Sequence, residues 1–159
     1  MRNKIIEEDL EYIISAPLQW GELSGKTILI TGANGFLPAY IVESLLYLNE
    51  KVFTNKLKVI GVVRNEQKAL KRFEAYKQRD DLKFIVQDVA DPISVDEKID
   101  FIIHAASQAS PKYYWKDPVG TLKPNVIGTH YLLELAQKNQ VTSFLFFSSG
   151  EVYGEVPQN

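Results

Sequence analysis

After Lys26 the chain alternates short β-branched or aromatic runs with segments of helical periodicity, and this alternation limits the fold more than any other feature. The runs Thr27 to Thr31, Leu57 to Val63, Lys83 to Gln87, Ile99 to His104 and Ser143 to Ser148 are expected as strands. Four of the five read as apolar on both faces. A strand with two apolar faces has to be covered twice, so the pattern predicts a parallel sheet with helices on both sides, a doubly wound α/β domain. The helical segments run roughly from Phe36 to Asn49, Glu66 to Gln78 and Pro118 to Gln140. The last should start at Asp117 as N-cap with Pro118 in its first turn, kink at Pro124, and turn Leu122, Val126, Leu133 and Ala136 inward.

Residues 1–25 stand outside this alternation. Ile6, Leu10, Ile13 and Ile14 recur at helical spacing between Asn3 and Ile14, and the Pro17 to Gly25 stretch ends the pattern. The expected division is a helix and connector over 1–25 and one domain over 26–159.

Composition excludes several classes of function. Lys+Arg 18 against Asp+Glu 20 gives a net charge of −2, which lacks the basic excess that nucleic-acid binding requires. The longest stretch without a charge, Thr27 to Val42, is 16 residues and holds Gly32, Gly35 and Pro38, so no membrane span is expected. Glu7, Glu8, Asp9 and Glu11 occupy the region where a secretory signal would be apolar, and cysteine is absent. A cytoplasmic protein without disulfides or a metal site is the expectation.

The first strand runs into Thr31-Gly32-Ala33-Asn34-Gly35-Phe36-Leu37-Pro38 and then directly into a helical segment. Glycines at such a turn let the backbone approach a ligand closely, and the helix start presents free N–H groups to a pyrophosphate. The spacing is not G-x-G-x-x-G, and no G-K-[ST] follows, which disfavours a P-loop nucleotidase.

Four segments together resemble one family, the extended short-chain dehydrogenase/reductases that act as nucleotide-sugar epimerases, dehydratases and decarboxylases. TGANGFLP resembles the family's TGxxGxxG turn. Asp88-Val89 is similar to its adenine-contacting pair, and His104-Ala105-Ala106-Ser107 to the cofactor-side end of its fourth strand. Ser148 to Gly154 resembles its SS-x-x-VYG segment, and Ser110 through Thr129 is similar to the sugar-nucleotide decarboxylases and dehydratases in particular. The resemblance implies a Rossmann-like sheet of order 3-2-1-4-5 that stops before the later strands and the substrate domain. It further implies NAD or NADP as cofactor, a nucleotide-sugar substrate and a homo-oligomer. The implied cofactor residues are Gly32, Asn34, Gly35, Phe36, Leu37, Arg64, Asp88, Val89, His104, Ala105, Ala106, Ser107 and Asn125, with Ser149 catalytic.

There are two departures from the pattern. Pro38 replaces the third glycine. The catalytic Tyr-x-x-x-Lys pair, expected some tens of residues beyond the VYG segment, is not in these 159 residues, so this chain alone is expected to be inactive. Only Tyr47, with Lys51, matches the spacing; near the far end of the first helix of the domain, it reads as a coincidental surface pair.

Individual residues keep competing readings. Arg64 follows the second strand, where an acidic residue usually accepts from the adenosine ribose, so it suits either a 2′-phosphate or plain solvent exposure. Asp88 either contacts adenine or shapes its own loop. His104 fits a satisfied, half-buried side chain as well as a site residue, and His130 reads as helix surface. Ser149 either orients the sugar C4 oxygen or caps a turn, and Asn125 either borders the site or satisfies the Pro124 kink. Lys112 to Trp115 forms a substrate-side loop or packs over the sheet. For function, hydride exchange at a sugar C4 leads, ahead of an NADP-dependent carbonyl reductase and a non-catalytic dinucleotide-sensing module.

Overall fold

The computed structural model describes residues 2–108 and 110–154; residues 155–159 of the expected domain lie outside that range. Strands β1 (Thr27–Thr31), β2 (Lys58–Val63), β3 (Leu82–Val86), β4 (Phe101–His104) and β5 (Ser143–Phe146) form one parallel sheet in the order β3-β2-β1-β4-β5. The expected doubly wound sheet and strand order are therefore present. Residues Val62, Thr31, His104 and Phe146 pair across adjacent strands, which aligns the C-terminal ends of the strands along one edge.

Alternation along β1 divides the core. Ile28 and Ile30 face α2 (Phe36–Lys51) and α3 (Glu66–Arg72), packing with Leu45, Leu46 and Phe73. Leu29 faces the opposite layer, where Ile60, Val62 and Ile102 meet Leu132, Leu135 and Ala136 of α6 (Thr129–Asn139). Helices on both faces of a parallel sheet bury its central strands completely. Full two-sided burial is nevertheless confined to β1 and nearly all of β2; β3 and β5 are partly exposed, contrary to the sequence expectation. They occupy the two margins of the sheet, where the covering helices end.

The expected helix from Pro118 to Gln140 is broken into α5 (Pro118–Lys123), a π-helical turn over Pro124–Gly128, and α6. Asp117 caps it as expected, its Oδ1 accepting from Gly120 N at 2.9 Å. Of the expected inward stripe only Ala136 is buried; Leu122, Val126 and Leu133 are exposed, and Pro124, Gly128, Leu132 and Leu135 are buried in their place. Pro124 has no N–H to close a regular turn, and i→i+5 bonding inserts an extra residue, so the faces on either side fall out of register. Gly128 then lies so close to Val89 that an added Cβ would stand 2.9 Å from its Cγ2.

The N-terminal helix α1 (Lys4–Ile14) docks on α2 through buried Leu10 and through hydrogen bonds from Tyr40 Oη to Asp9 and from Tyr47 Oη to Glu11. Tyr47 is fully buried, with the Arg2 guanidinium 4.9 Å and Lys51 Nζ 5.3 Å from its ring centroid, so it pairs with Lys51 as expected but does not lie at the surface. Among the described residues, no helix is long and apolar enough to cross a membrane.

Candidate functional site

At the C-terminal edge of the sheet the loops after β1, β2, β3, β4 and β5 enclose a crevice of about 940 Å³. Its floor is the glycine turn. Gly32 has φ 64°, and a Cβ on it would stand 2.9 Å from Ala106 Cα, so both the backbone conformation and the proximity of the β4 end require glycine. Gly35 caps α2 and donates from its N–H to Gly32 O at 2.7 Å. The Phe36 and Leu37 N–H groups, in the first turn of a 16-residue helix, have no intrahelical acceptor and sit at the positive end of its dipole. Pro38, buried in the same turn, lacks an N–H where the helix would leave one unbonded. Proline is therefore tolerated at this position, although it offers one amide fewer to an anion. A cradle that a Cβ would fill, opening on free amides, fits a dinucleotide pyrophosphate.

Around this floor stand almost all the residues singled out in the sequence. Gly32, Asn34, Gly35, Phe36, Leu37, Arg64, Asp88, Val89, Ala105, Ala106, Ser107, Asn125 and Ser149 all line the crevice. His104 does not. It is 1% exposed and lies behind the wall, its Nδ1 2.7 Å from Thr31 Oγ1 and its Nε2 3.0 Å from Pro124 O. Thr31 Oγ1 also accepts from Ala105 N and Ala106 N, both at 3.1 Å, which occupies its two lone pairs. The hydroxyl proton must therefore go to His104 Nδ1, leaving the ring neutral with its proton on Nε2, where it donates to the Pro124 carbonyl. Burial holds this imidazole below its ordinary range, with the Pro124 hydrogen bond opposing in part. Of its two sequence readings, the satisfied side chain is the one observed.

Arg64 Nη1 approaches Asp88 Oδ2 at 3.9 Å across the mouth of the crevice, with both side chains substantially exposed. Asp88 Oδ1 accepts from Ala90 N at 3.0 Å, so the carboxylate shapes its loop and faces the crevice as well. Asn125 Nδ2 donates to Thr121 O at 2.7 Å, satisfying the helix at the π turn while lining the crevice. Of the segment from Lys112 to Trp115, within α4 (Pro111–Lys116), Tyr114 reaches the crevice, whereas Trp115 is 92% exposed.

Sequence reasoning overlooked Asn65, Lys68, Gln108, Thr121 and Phe147, all of which line the crevice. Thr121 was discoverable, since it lies one turn before Asn125 on the same helical face. Lys68 gave no comparable signal, being one of several lysines in a polar helix. A second hollow of about 600 Å³ lies against Arg2, Glu43, Arg72 and Lys77. Its buried charge is already paired, Arg72 binding Glu43 through two hydrogen bonds of 3.1 and 2.8 Å.

The model of the NAD dependent epimerase/dehydratase family matches residues 28–159. UDP-glucuronic acid decarboxylase 1 of Danio rerio is 34% identical over 164 residues, covering 100% of this chain and 37% of that protein. dTDP-D-glucose 4,6-dehydratase of Homo sapiens is 31% identical, covering 85% of this chain and 39% of that protein. Among solved structures, UDP-glucose 4-epimerase of Thermotoga maritima, determined with UDP-glucose, superposes with a TM-score of 0.63 at 26% identity, covering 84% of this chain and 41% of that one. The chain thus spans well under half the length of the proteins it matches.

Proposed function

Since this chain belongs to the NAD dependent epimerase/dehydratase family, we propose that it forms the dinucleotide-binding part of an enzyme that oxidises a nucleotide-linked sugar at C4. The observation that carries this reading is the convergence of the Gly32–Gly35 cradle, Asp88, Ala105 to Ser107, Asn125 and Ser149 on one crevice.

When bound, NAD or NADP supplies the hydride acceptor. The Phe36 and Leu37 amides and the α2 dipole hold the pyrophosphate, and the Asp88-Val89 corner receives the adenine. Ala105, Ala106 and Ser107 extend the wall from the cradle towards Ser149, which orients the sugar hydroxyl. Ser149 has no basicity of its own to take that hydroxyl's proton, and the tyrosine–lysine pair that does so in the family is missing from these residues. Tyr47 and Lys51 cannot substitute, because Tyr47 is buried against α1 and outside the crevice. The 159-residue chain accordingly binds the adenosine and pyrophosphate portion and turns over no sugar.

The test assays this chain and the complete reading frame encoding it for C4 oxidation of UDP-, GDP- and dTDP-sugars with each cofactor. Turnover by the 159 residues alone would refute the missing-base argument. A complete reading frame that contains the tyrosine–lysine pair and binds dinucleotide yet stays inactive would replace the enzyme reading with that of a binding module. Net consumption of NADPH with simple carbonyls would favour a reductase.

A further inference from the structure

We propose that the N-terminal helix acts on the dinucleotide crevice, with Asp9 and Tyr40 as positioning residues that hold the Phe36 ring beside the glycine cradle. The inference rests on the dinucleotide reading above and adds to it a helix that lies outside the residues matched to the family, 28–159. Its first support is a continuous line of contacts from α1 to the cradle. Asp9 Oδ2 accepts from Tyr40 Oη at 2.8 Å. Tyr40 lies one turn after Phe36 on α2, and the two rings meet edge to face, with centroids 6.1 Å apart and planes at 71°. Phe36 in turn lines the crevice, and its own amide is one of the free donors of the cradle.

The second support is that α1 is a fixed platform, whereas burial does not hold the Phe36 ring. Leu10, the neighbour of Asp9, is completely buried, and Arg2, just before the helix, donates to Glu50 at 2.8 Å and to Tyr76 at 2.9 Å. Phe36 is 81% exposed, and among the described residues its ring contact is with Tyr40. An exposed side chain that becomes ordered when a ligand binds costs conformational entropy, and a ring already restrained by its neighbour loses less. The hydrogen bond to Asp9 holds the Tyr40 phenol above its ordinary range, so the hydroxyl stays protonated and donating at neutral pH. Tyr47 is tied to the same helix by its bond to Glu11 at 3.1 Å, but it lies outside the crevice. Of these two links between α1 and α2, the one at Asp9 leads to the ligand.

The experiment titrates the whole 159-residue chain with NAD+, NADP+ and ADP by calorimetry. Asp9→Ala and Tyr40→Phe should each weaken binding about 3- to 10-fold, and the double variant no more than either alone. Asp9→Asn, whose side-chain oxygen still accepts from the phenol, should restore most of the affinity. Tyr47→Phe removes the other bond to α1 and should leave affinity at the wild-type value. In a Phe36→Ala background, Asp9→Ala should have no further effect, a result that general loosening of α1 would not give. An Asp9→Ala affinity equal to wild type, an equal loss in Tyr47→Phe, or a full Asp9→Ala effect without the Phe36 ring overturns the positioning role and leaves the dinucleotide reading intact. Failure of the wild-type chain to bind any of the three ligands removes both. Asp9 and Tyr40 bond at the surface, so these variants keep the buried core.

Discussion

His104→Phe is the most informative single substitution, because it separates the ring's hydrogen bonds from its volume. Phenylalanine keeps an aromatic ring in the cavity and the contact with Phe146, whose centroid lies 5.5 Å away. What disappears are the two bonds that tie β1 to β4 and β4 to the π turn, at 2.7 and 3.0 Å. The Thr31 hydroxyl keeps its two N–H donors but has nowhere to send its proton, and the Pro124 carbonyl loses its partner from the sheet. At about 1–3 kcal/mol for each buried group left unsatisfied, partly offset by the greater hydrophobicity of phenylalanine, the net loss should be about 2–4 kcal/mol. For a domain of this size that lowers Tm by roughly 5–15 °C. The pH dependence has a definite sign. The folded imidazole is held neutral while the unfolded one protonates near its ordinary pKa of 6.5. Stability is therefore fully present above that value and is lost as pH falls below it, until the folded ring protonates as well. His104→Phe should remove that part of the slope. Thermal unfolding of both proteins between pH 5 and 8, together with nitrogen NMR of the histidine, tests the argument. A stability change under about 0.5 kcal/mol, or a proton found on Nδ1 at neutral pH, would refute it.

Three further outcomes are expected. Gly32→Ala forces a side chain at φ 64° to within 2.9 Å of Ala106 Cα; about 1–3 kcal/mol of stability and most dinucleotide affinity should be lost, as read by calorimetry with and without ligand. Asp81, 5% exposed, accepts from both Arg79 and Asn49; burial alone would raise its carboxyl, but those bonds prevail and hold it below its ordinary value. Asp81→Asn should cost about 2–4 kcal/mol at pH 7, and denaturant titrations should show the gap to wild type closing as pH falls through the folded pKa, where wild type loses the same charge. At the sheet margin, Leu145 and Phe146 are 51% and 40% exposed on β5, so sedimentation should show self-association that grows with concentration and weakens in Leu145→Lys; a monomer at every concentration would count against it.

The features legible in the sequence are those whose causes lie within a few residues of one another. β-branched runs between helical segments determined the sheet, and Asp117 before Pro118 determined a helix start because the cap and the amide it binds are three positions apart. The glycine turn announced the crevice, since a positive φ and an unhindered approach are demands on single residues. Other features depended on groups far apart in the chain. The phase of the helix after Pro124 is set by the π turn and by Gly128 packing on Val89, so a regular period applied to Leu122, Val126 and Leu133 selected the wrong face. Tyr47 is buried because α1, which lies outside the strand–helix repeat, folds back over it. His104 finds Thr31 across 73 residues and Pro124 across 20, and only the pairing of β1 with β4 brings the three together. Lys68 likewise belongs to the ligand wall only because β2 delivers α3 beside the glycine turn. Local propensity acts through the backbone and nearest neighbours, whereas burial, tautomer and the sharing of charge across a crevice arise when the sheet closes and places distant groups within hydrogen-bonding distance.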